Sequence, residues 1–201
     1  PWSNSYETMI YVAWATVFAG LLFVRKSTLT FALATLFGGI ILFVSGLSWM
    51  DPQINPLVPV LKSPWLMFHV AVIVGAYGFF GISCLIGLTN LVMMSVSGEK
   101  NSVMLKERVR ELSIVNEMSL WIGSFLGAVW ANESWGRYWG WDPKETWALI
   151  TMVIYAIVTH LRLIPKCNNL WLFNFTSILA FYSVLMTFFG VNYFLSGMHS
   201  Y

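Results

Sequence analysis

Charge is what this sequence has least of: Lys and Arg number eleven and Asp and Glu nine, together 10% of its 201 residues. The formal charge of +2 is small and dispersed, which leaves no basis for a nucleic-acid surface. Cysteine is almost missing too. Cys84 lies in an apolar run and Cys167 in a basic turn, and neither belongs to a CxxC pair, so no zinc site, dithiol relay or disulfide framework follows. The ten-residue alternation of apolar and polar residues that a transmembrane barrel needs is also lacking.

What the chain has is hydrophobic length. Apolar residues make up 58% of it and its mean hydropathy is +0.70, outside the range of soluble domains. Runs of about 20 apolar residues are long enough to cross about 30 Å of hydrocarbon as helix, which predicts an all-α integral membrane protein in contact with lipid. Six spans are expected: about Tyr6 to Val24, Leu29 to Leu47, Pro64 to Met94, Ile114 to Ala131, Asp142 to Leu163, and Leu170 to Leu195. Between them lie a proline-rich stretch, Ser48 to Ser63, a charged segment read as a solvated amphipathic link, Ser97 to Leu112, a loop, Asn132 to Asp142, and a turn, Pro165 to Asn169. The chain opens at Pro1 with neither methionine nor a basic signal start, so upstream residues, whole helices included, are expected; residues 1–201 read as one polytopic domain of a larger chain or complex.

Basic residues orient the spans, because they are retained on the cytoplasmic side. Arg25, Lys26, Lys100, Lys106, Arg108, Arg110, Arg162 and Lys166 fall on one side, against Lys62, Arg137 and Lys144 on the other. Both termini and the loop before Asp142 are thereby placed outside, in a periplasm or its equivalent. Helix starts at Asn4-Ser-Tyr-Glu7, Ser63-Pro64 and Asp142-Pro-Lys-Glu145 agree with that plan.

Five of the eleven tryptophans, Trp130, Trp135, Trp139, Trp141 and Trp147, crowd the segment around the outer loop, with Tyr138 among them. An aromatic belt at headgroup level accounts for some of these. It does not account for Gly136 and Gly140 alternating with the indoles, which lets the backbone bend and approach something flat. A porphyrin suits such a loop, since its rings can stack on indoles with about 1 kcal/mol per aromatic pair beyond area burial. Asp142 resembles a catalytic acid, but its place before Pro143 and three residues ahead of Glu145 makes it a helix cap.

The three histidines are not scattered. His69 lies near the outer end of the third span and His199 just past the sixth, so both sit at the level of the loop, where two imidazoles could take the two axial positions of one haem iron. Either one alone reads as a solvated or hydrogen-bonded side chain. His160 follows Lys144 by sixteen residues, about 24 Å along a helix, and belongs to the opposite end of the fifth span. It is either a ligand of the same cofactor at an inner station or a neutral ring bonded to a backbone carbonyl near Arg162. Glu117 is a further ionisable residue of the fourth span.

The stretch Trp135-Gly-Arg-Tyr-Trp-Gly-Trp-Asp-Pro-Lys-Glu-Thr-Trp147 resembles the WWD signature of haem-handling proteins in cytochrome c assembly. With Ser63-Pro-Trp-Leu-Met-Phe-His69, the helix carrying His160, and Ser196-Gly-Met-His199, the chain as a whole is similar to the CcsA (ResC) branch of system II. The resemblance implies a subunit of cytochrome c synthase, in a bacterial inner membrane or thylakoid equivalent, that passes b-type haem outward and joins it to the CxxCH segment of apocytochrome c. It implies His69 and His199 as outer axial ligands, His160 as the inner one, and Trp135, Gly136, Tyr138, Trp139, Gly140, Trp141, Asp142 and Trp147 as the haem-binding loop. It also implies a CcsB (ResB) partner, separate or fused, supplying a second membrane histidine. A haem conduit serving a separate ligase, and a quinone-linked b-type electron carrier, are the alternatives.

Overall fold

A run of apolar residues can satisfy its backbone inside a bilayer only by bonding to itself, and helix is the result. The computed structural model describes residues 4–25, 27–47, 52, 53, 56, 62–97 and 103–195, without the side chains of 103–109 and 111–115. Among the described residues the chain forms α1 (Ser5–Phe23), α2 (Thr28–Ser45), α3 (Pro64–Ser97), α4 (Val103–Trp135), α5 (Pro143–His160) with a 3₁₀ turn (Leu161–Leu163), and α6 (Leu170–Leu185). α6 runs on through a π-helical turn (Met186–Gly190) into a short α7 (Val191–Phe194). Among the described residues five helices are long and apolar enough to cross a membrane: α1, α2, α3, α5 with its 3₁₀ turn, and the rod from Leu170 to Phe194.

Side chains fix several helix starts. Asn4 Oδ1 accepts from the Glu7 N–H at 2.9 Å, Ser27 Oγ from Thr30 at 3.2 Å and Asn169 Oδ1 from Leu172 at 2.7 Å, each relieving an unpaired first-turn donor. The expected start at Ser63-Pro64 holds, with the Ser63 hydroxyl donating to Glu133 Oε2 at 2.7 Å and so tying the entry of α3 to the end of α4.

The fourth span is corrected. From Val103 onward the charged segment is not a link but part of α4, which is continuous over 33 residues to Trp135, while residues 98–102 lie outside the described residues. Lys, Glu, Arg, Leu and Met are strong helix formers, and neither glycine nor proline interrupts the chain between Val103 and Gly123, so the charged residues from Lys106 to Glu111 continue the helix. The helix also overruns the expected loop start at Asn132, leaving only 136–142 as loop.

α3 is the hub, packed against α1, α2, α4 and α6, while α5 packs against α4 and α6. Around α3 the core gathers Phe80, Ile82, Ile86, Leu120, Met152, Tyr155 and Phe173. Lipid tails are as apolar as leucine, so helices in a bilayer associate through close packing over small residues. Gly78 meets α1 so closely that a β-carbon there would stand 2.6 Å from Thr16 Oγ1. Antiparallel hairpins gather the described cations Arg25, Arg110, Arg162 and Lys166 at one end of the bundle and Lys62, Arg137 and Lys144 at the other.

Candidate functional site

At the end of the bundle carrying the tryptophan loop, α4 presents Gly123 and Gly127, four residues apart on one face. α3 answers with His69 and Ile73 at the same spacing. A β-carbon on Gly123 would lie 2.3 Å from Ile73 Cγ1, and one on Gly127 would lie 2.5 Å from His69 Cε1 and 2.7 Å from its Nδ1. The imidazole therefore rests on bare helix backbone. Its Nδ1 is 2.7 Å from the Gly123 carbonyl oxygen. A carbonyl can only accept, so Nδ1 is the donor of this bond and its proton points at α4. Trp130, 1% exposed, lies nearly parallel to the ring, with centroids 6.3 Å apart and planes 11° off, and Trp135 meets Trp130 edge to face at 4.8 Å.

His69 lines a cavity of about 240 Å³ shared with Trp130, Tyr138, Trp139, Lys144 and Glu145. α1 contributes Asn4, Ser5 and Thr8, and the π turn and α7 contribute Thr187, Phe188 and Asn192. Its wall thus mixes apolar and aromatic side chains with polar and charged ones, a composition that can both bury and orient a small molecule. A π turn places an extra residue in the ladder, a device common at functional sites. Here it sets Thr187, which is 3.0 Å from the Thr151 hydroxyl and also 3.3 Å from the Trp147 carbonyl.

The loop is held from within. Asp142 Oδ2 accepts from the Lys144 N–H at 3.2 Å, while Glu145 Oε2 reaches back to the N–H groups of Asp142 at 3.2 Å and Gly140 at 2.8 Å. This is the full capping box expected of Asp142 and Glu145. Gly136 takes φ +71°, the left-handed conformation that ends α4, with its N–H on the Asn132 carbonyl at 2.9 Å. Gly140 leaves room for the Arg137 guanidinium, which would lie 2.7 Å from a β-carbon there. Both glycines thus shape the loop itself. Trp139 faces the cavity and meets Trp141 edge to face at 5.8 Å. Trp141, at φ +56°, is 69% exposed, and Tyr138 is 61% exposed while also lining the cavity. Trp147 is half-buried and gives its carbonyl to Thr151 at 2.8 Å.

His199 lies outside the described residues. His160 closes α5 at the opposite end of the bundle, about 27 Å from the loop along the helix axis. Its side chain is exposed, with Nδ1 2.7 Å from the Ala156 carbonyl. The second reading of this residue, a ring bonded to a backbone carbonyl, is therefore present, with Nδ1 as the donor. The neighbouring Thr159 hydroxyl is 3.0 Å from Glu117 Oε2, tying α5 to α4.

Sequence reasoning passed over Gly123, Gly127, Thr187, Phe188 and Lys144 as site residues. The glycines carry a legible signal, a small residue repeated at four-residue spacing in an apolar helix. The π turn has none, for Met186 to Gly190 is unremarkable apolar sequence.

A family model described as "Cytochrome C assembly protein" matches residues 2–199. The chain is 46% identical to Protein NrfI of Wolinella succinogenes over its whole length but over only 23% of that protein. It is 33% identical to the cytochrome c biogenesis protein CcsA of Guillardia theta and 35% identical to that of Chlamydomonas reinhardtii, spanning 76% and 60% of those proteins. With the WWD-like loop carried between two helices and a histidine cradled beside it, the chain belongs to the CcsA family of cytochrome c assembly proteins.

Proposed function

We propose that this chain is one polytopic domain of a cytochrome c synthase, which carries haem across the membrane, presents it at the tryptophan loop and takes part in its attachment to apocytochrome c. The observation that carries the proposal is the His69 cradle: an imidazole, its Nδ1–H tied to Gly123, lining a cavity that the loop walls. Iron-ligating histidines are oriented by just such a bond from the other ring nitrogen.

In this reading α4 is the sixth crossing, both termini face outward, and the end bearing Arg25, Arg110, Arg162 and Lys166 is cytoplasmic, in a bacterial inner membrane or the thylakoid equivalent. His160 is the inner station. With Nδ1 occupied and the side chain exposed, it offers half of a bis-histidine site, the other half coming from a CcsB-like partner. At the outer station His69 supplies one axial ligand and His199 the other, while Trp135, Trp139 and Trp141, on a loop bent by Gly136 and Gly140 and pinned by Asp142, bound the macrocycle, with Tyr138 and Trp147 beside them.

The attachment step is addition of each thiol of a CxxCH segment across a haem vinyl group: sulfur bonds to one vinyl carbon, the thiol hydrogen passes to the other, and no net oxidation occurs. The porphyrin supplies that chemistry. The chain's share is position, since fixing two large partners in register converts an encounter into an oriented, effectively unimolecular reaction.

The test is an absorption spectrum of the purified protein, oxidised and reduced. His69→Ala is expected to remove the outer haem band; an undiminished band with normal cytochrome c output rejects the proposal. Attachment is separated from mere delivery by reconstituting the chain and its partner with haem and a CxxCH peptide. A covalent adduct in that mixture requires synthase activity, and haem release without an adduct makes the chain a conduit.

A further inference from the structure

Glu117 is the one charged residue that α4 carries between Glu111 and Glu133. An ionisable side chain in a membrane span is costly and marks a functional site by default. Among the described residues its hydrogen-bond partner is the buried hydroxyl of Thr159 on α5, 3.0 Å from Oε2. That hydroxyl has a single proton and three acceptors within reach: Glu117 Oε2 and the carbonyls of Tyr155, at 2.9 Å, and Ala156, at 3.0 Å. A carboxylate accepts about twice as strongly as a neutral carbonyl, so the proton goes to Glu117. The lone pairs of the same oxygen are then left for the next residue. Thr159 Oγ1 is 3.3 Å from His160 Nδ1, whose shorter bond is the 2.7 Å one to the Ala156 carbonyl. The Nδ1–H is thus shared between carbonyl and hydroxyl, and the directions agree from end to end: ring N–H to hydroxyl, hydroxyl to carboxylate.

We propose that Glu117 is a positioning residue of the inner haem station, acting on His160 through Thr159. The inference rests on the inner station proposed above and adds what orients and tunes its histidine. With Nδ1 held from two sides, the ring is fixed at the end of α5, and Nε2, on its far edge, is the nitrogen presented to an iron. The negative charge behind the hydroxyl strengthens the ring as a donor, as carboxylates behind metal-bound histidines do, and favours the ferric form of a haem held there. A plain tie between α4 and α5 is the role the same bonds would serve by themselves; it predicts effects on folding and none on the ring.

The experiment uses the intact protein with its membrane partner in phosphatidylcholine nanodiscs, first haem-free and then titrated with haem. In the haem-free protein, with isotopically labelled histidine, the Nδ1 resonance that His160→Ala removes should move in Thr159→Val and in Glu117→Gln and return in Thr159→Ser. In the loaded protein, Thr159→Val should cost the band that His160→Ala removes about tenfold in haem affinity. The midpoint potential of that band should rise in both Thr159→Val and Glu117→Gln, since one removes the hydroxyl that relays the charge and the other the charge itself. Glutamine still accepts from the Thr159 hydroxyl, so Glu117→Gln leaves the α4–α5 tie in place. The double variant should go no further than the larger single one, because both cut one chain. The band that His69→Ala removes should keep its potential throughout, which reports that the variants are folded; should Thr159→Val lose both bands, Glu117→Gln and Thr159→Ser carry the comparison. Resonance and potential that stay put while thermal unfolding shifts overturn the assignment and leave the two residues as a tie between helices. If no band depends on His160, the inner station itself falls and this role with it; if the band is there but indifferent to Glu117 and Thr159, only this assignment falls.

Discussion

The imidazole of His69 lies against the α-carbon of Gly127 on the facing helix, where a β-carbon would stand 2.5 Å from ring Cε1. That relationship separates the position of the ring from the stability of the bundle. Gly127→Ala forces the side chain, not the backbone, to give way, because the obstructing atoms belong to a ring that can rotate. The expected cost in folding is about 1–2 kcal/mol of overpacking, but the bond to the Gly123 carbonyl is broken and the outer haem band should fall by most of its intensity. Gly39→Ala, with nothing within 4 Å of the added carbon, is the control expected to leave the spectrum unchanged. A full-strength band in the Gly127 variant would show that the cradle does not position the ligand.

Asp142 invites a second test, since the residue sits within the signature loop and yet is spent on a helix start. Asparagine caps helices about as well as aspartate, whereas alanine costs about 1 kcal/mol. Asp142→Asn should therefore retain near-normal haem binding and attachment, and Asp142→Ala should reduce both as the loop bearing Trp139 loosens. Loss of attachment in the asparagine variant, with the haem spectrum intact, would mean that the carboxyl moves a proton.

The sequence carried most of the helical plan and less of the site. α1 and α5 start within a residue of expectation because Asn4 and Asp142 announce them, and α2 and α6 do so from hydropathy alone, their caps at Ser27 and Asn169 appearing only in the structure. α4 extends beyond the expected fourth span at both ends, since the charge of Lys106 to Glu111 reads as a link although its residues are good helix formers. His69 could be placed at the level of the loop by counting from Pro64, but its bond to Gly123 is a contact between helices that counting cannot see. The π turn that brings Thr187 to the cavity depends on packing between α5 and α6 and leaves no trace in local pattern.

That π turn gives the third prediction. Thr151 and Thr187 meet at 3.0 Å, and both lean on the Trp147 carbonyl, at 2.8 and 3.3 Å. Polar bonds between membrane helices are worth about 0.6 kcal/mol on average and up to about 1.7. A double-mutant cycle of Thr151→Val and Thr187→Val, read by thermal denaturation in detergent, should give a coupling in that range. Thr187→Val should additionally weaken outer haem binding severalfold, because it lets the π turn that places Phe188 relax. Strictly additive single mutants would show that the two hydroxyls do not share a bond.

The last prediction concerns polarity with no evident use. Asn116 is fully buried, and among the described residues neither its amide nitrogen nor its amide oxygen has a hydrogen-bond partner; the Tyr155 hydroxyl, equally buried, is in the same position. A buried amide that makes no bond loses its hydration without compensation, at a cost of about 1–3 kcal/mol, while a leucine of similar volume pays no such penalty. If Asn116 is only a structural residue, Asn116→Leu should raise the midpoint of thermal unfolding and leave haem transfer untouched. If the amide instead serves a polar molecule passing through the core, the same substitution should slow transfer of haem from the inner to the outer band even as the protein becomes more stable. A fall in stability would contradict both, since it would mean that the side chain has a bonded partner within the bundle. Measuring unfolding and transfer on one preparation therefore decides whether this polar position is a relic of packing or part of the path.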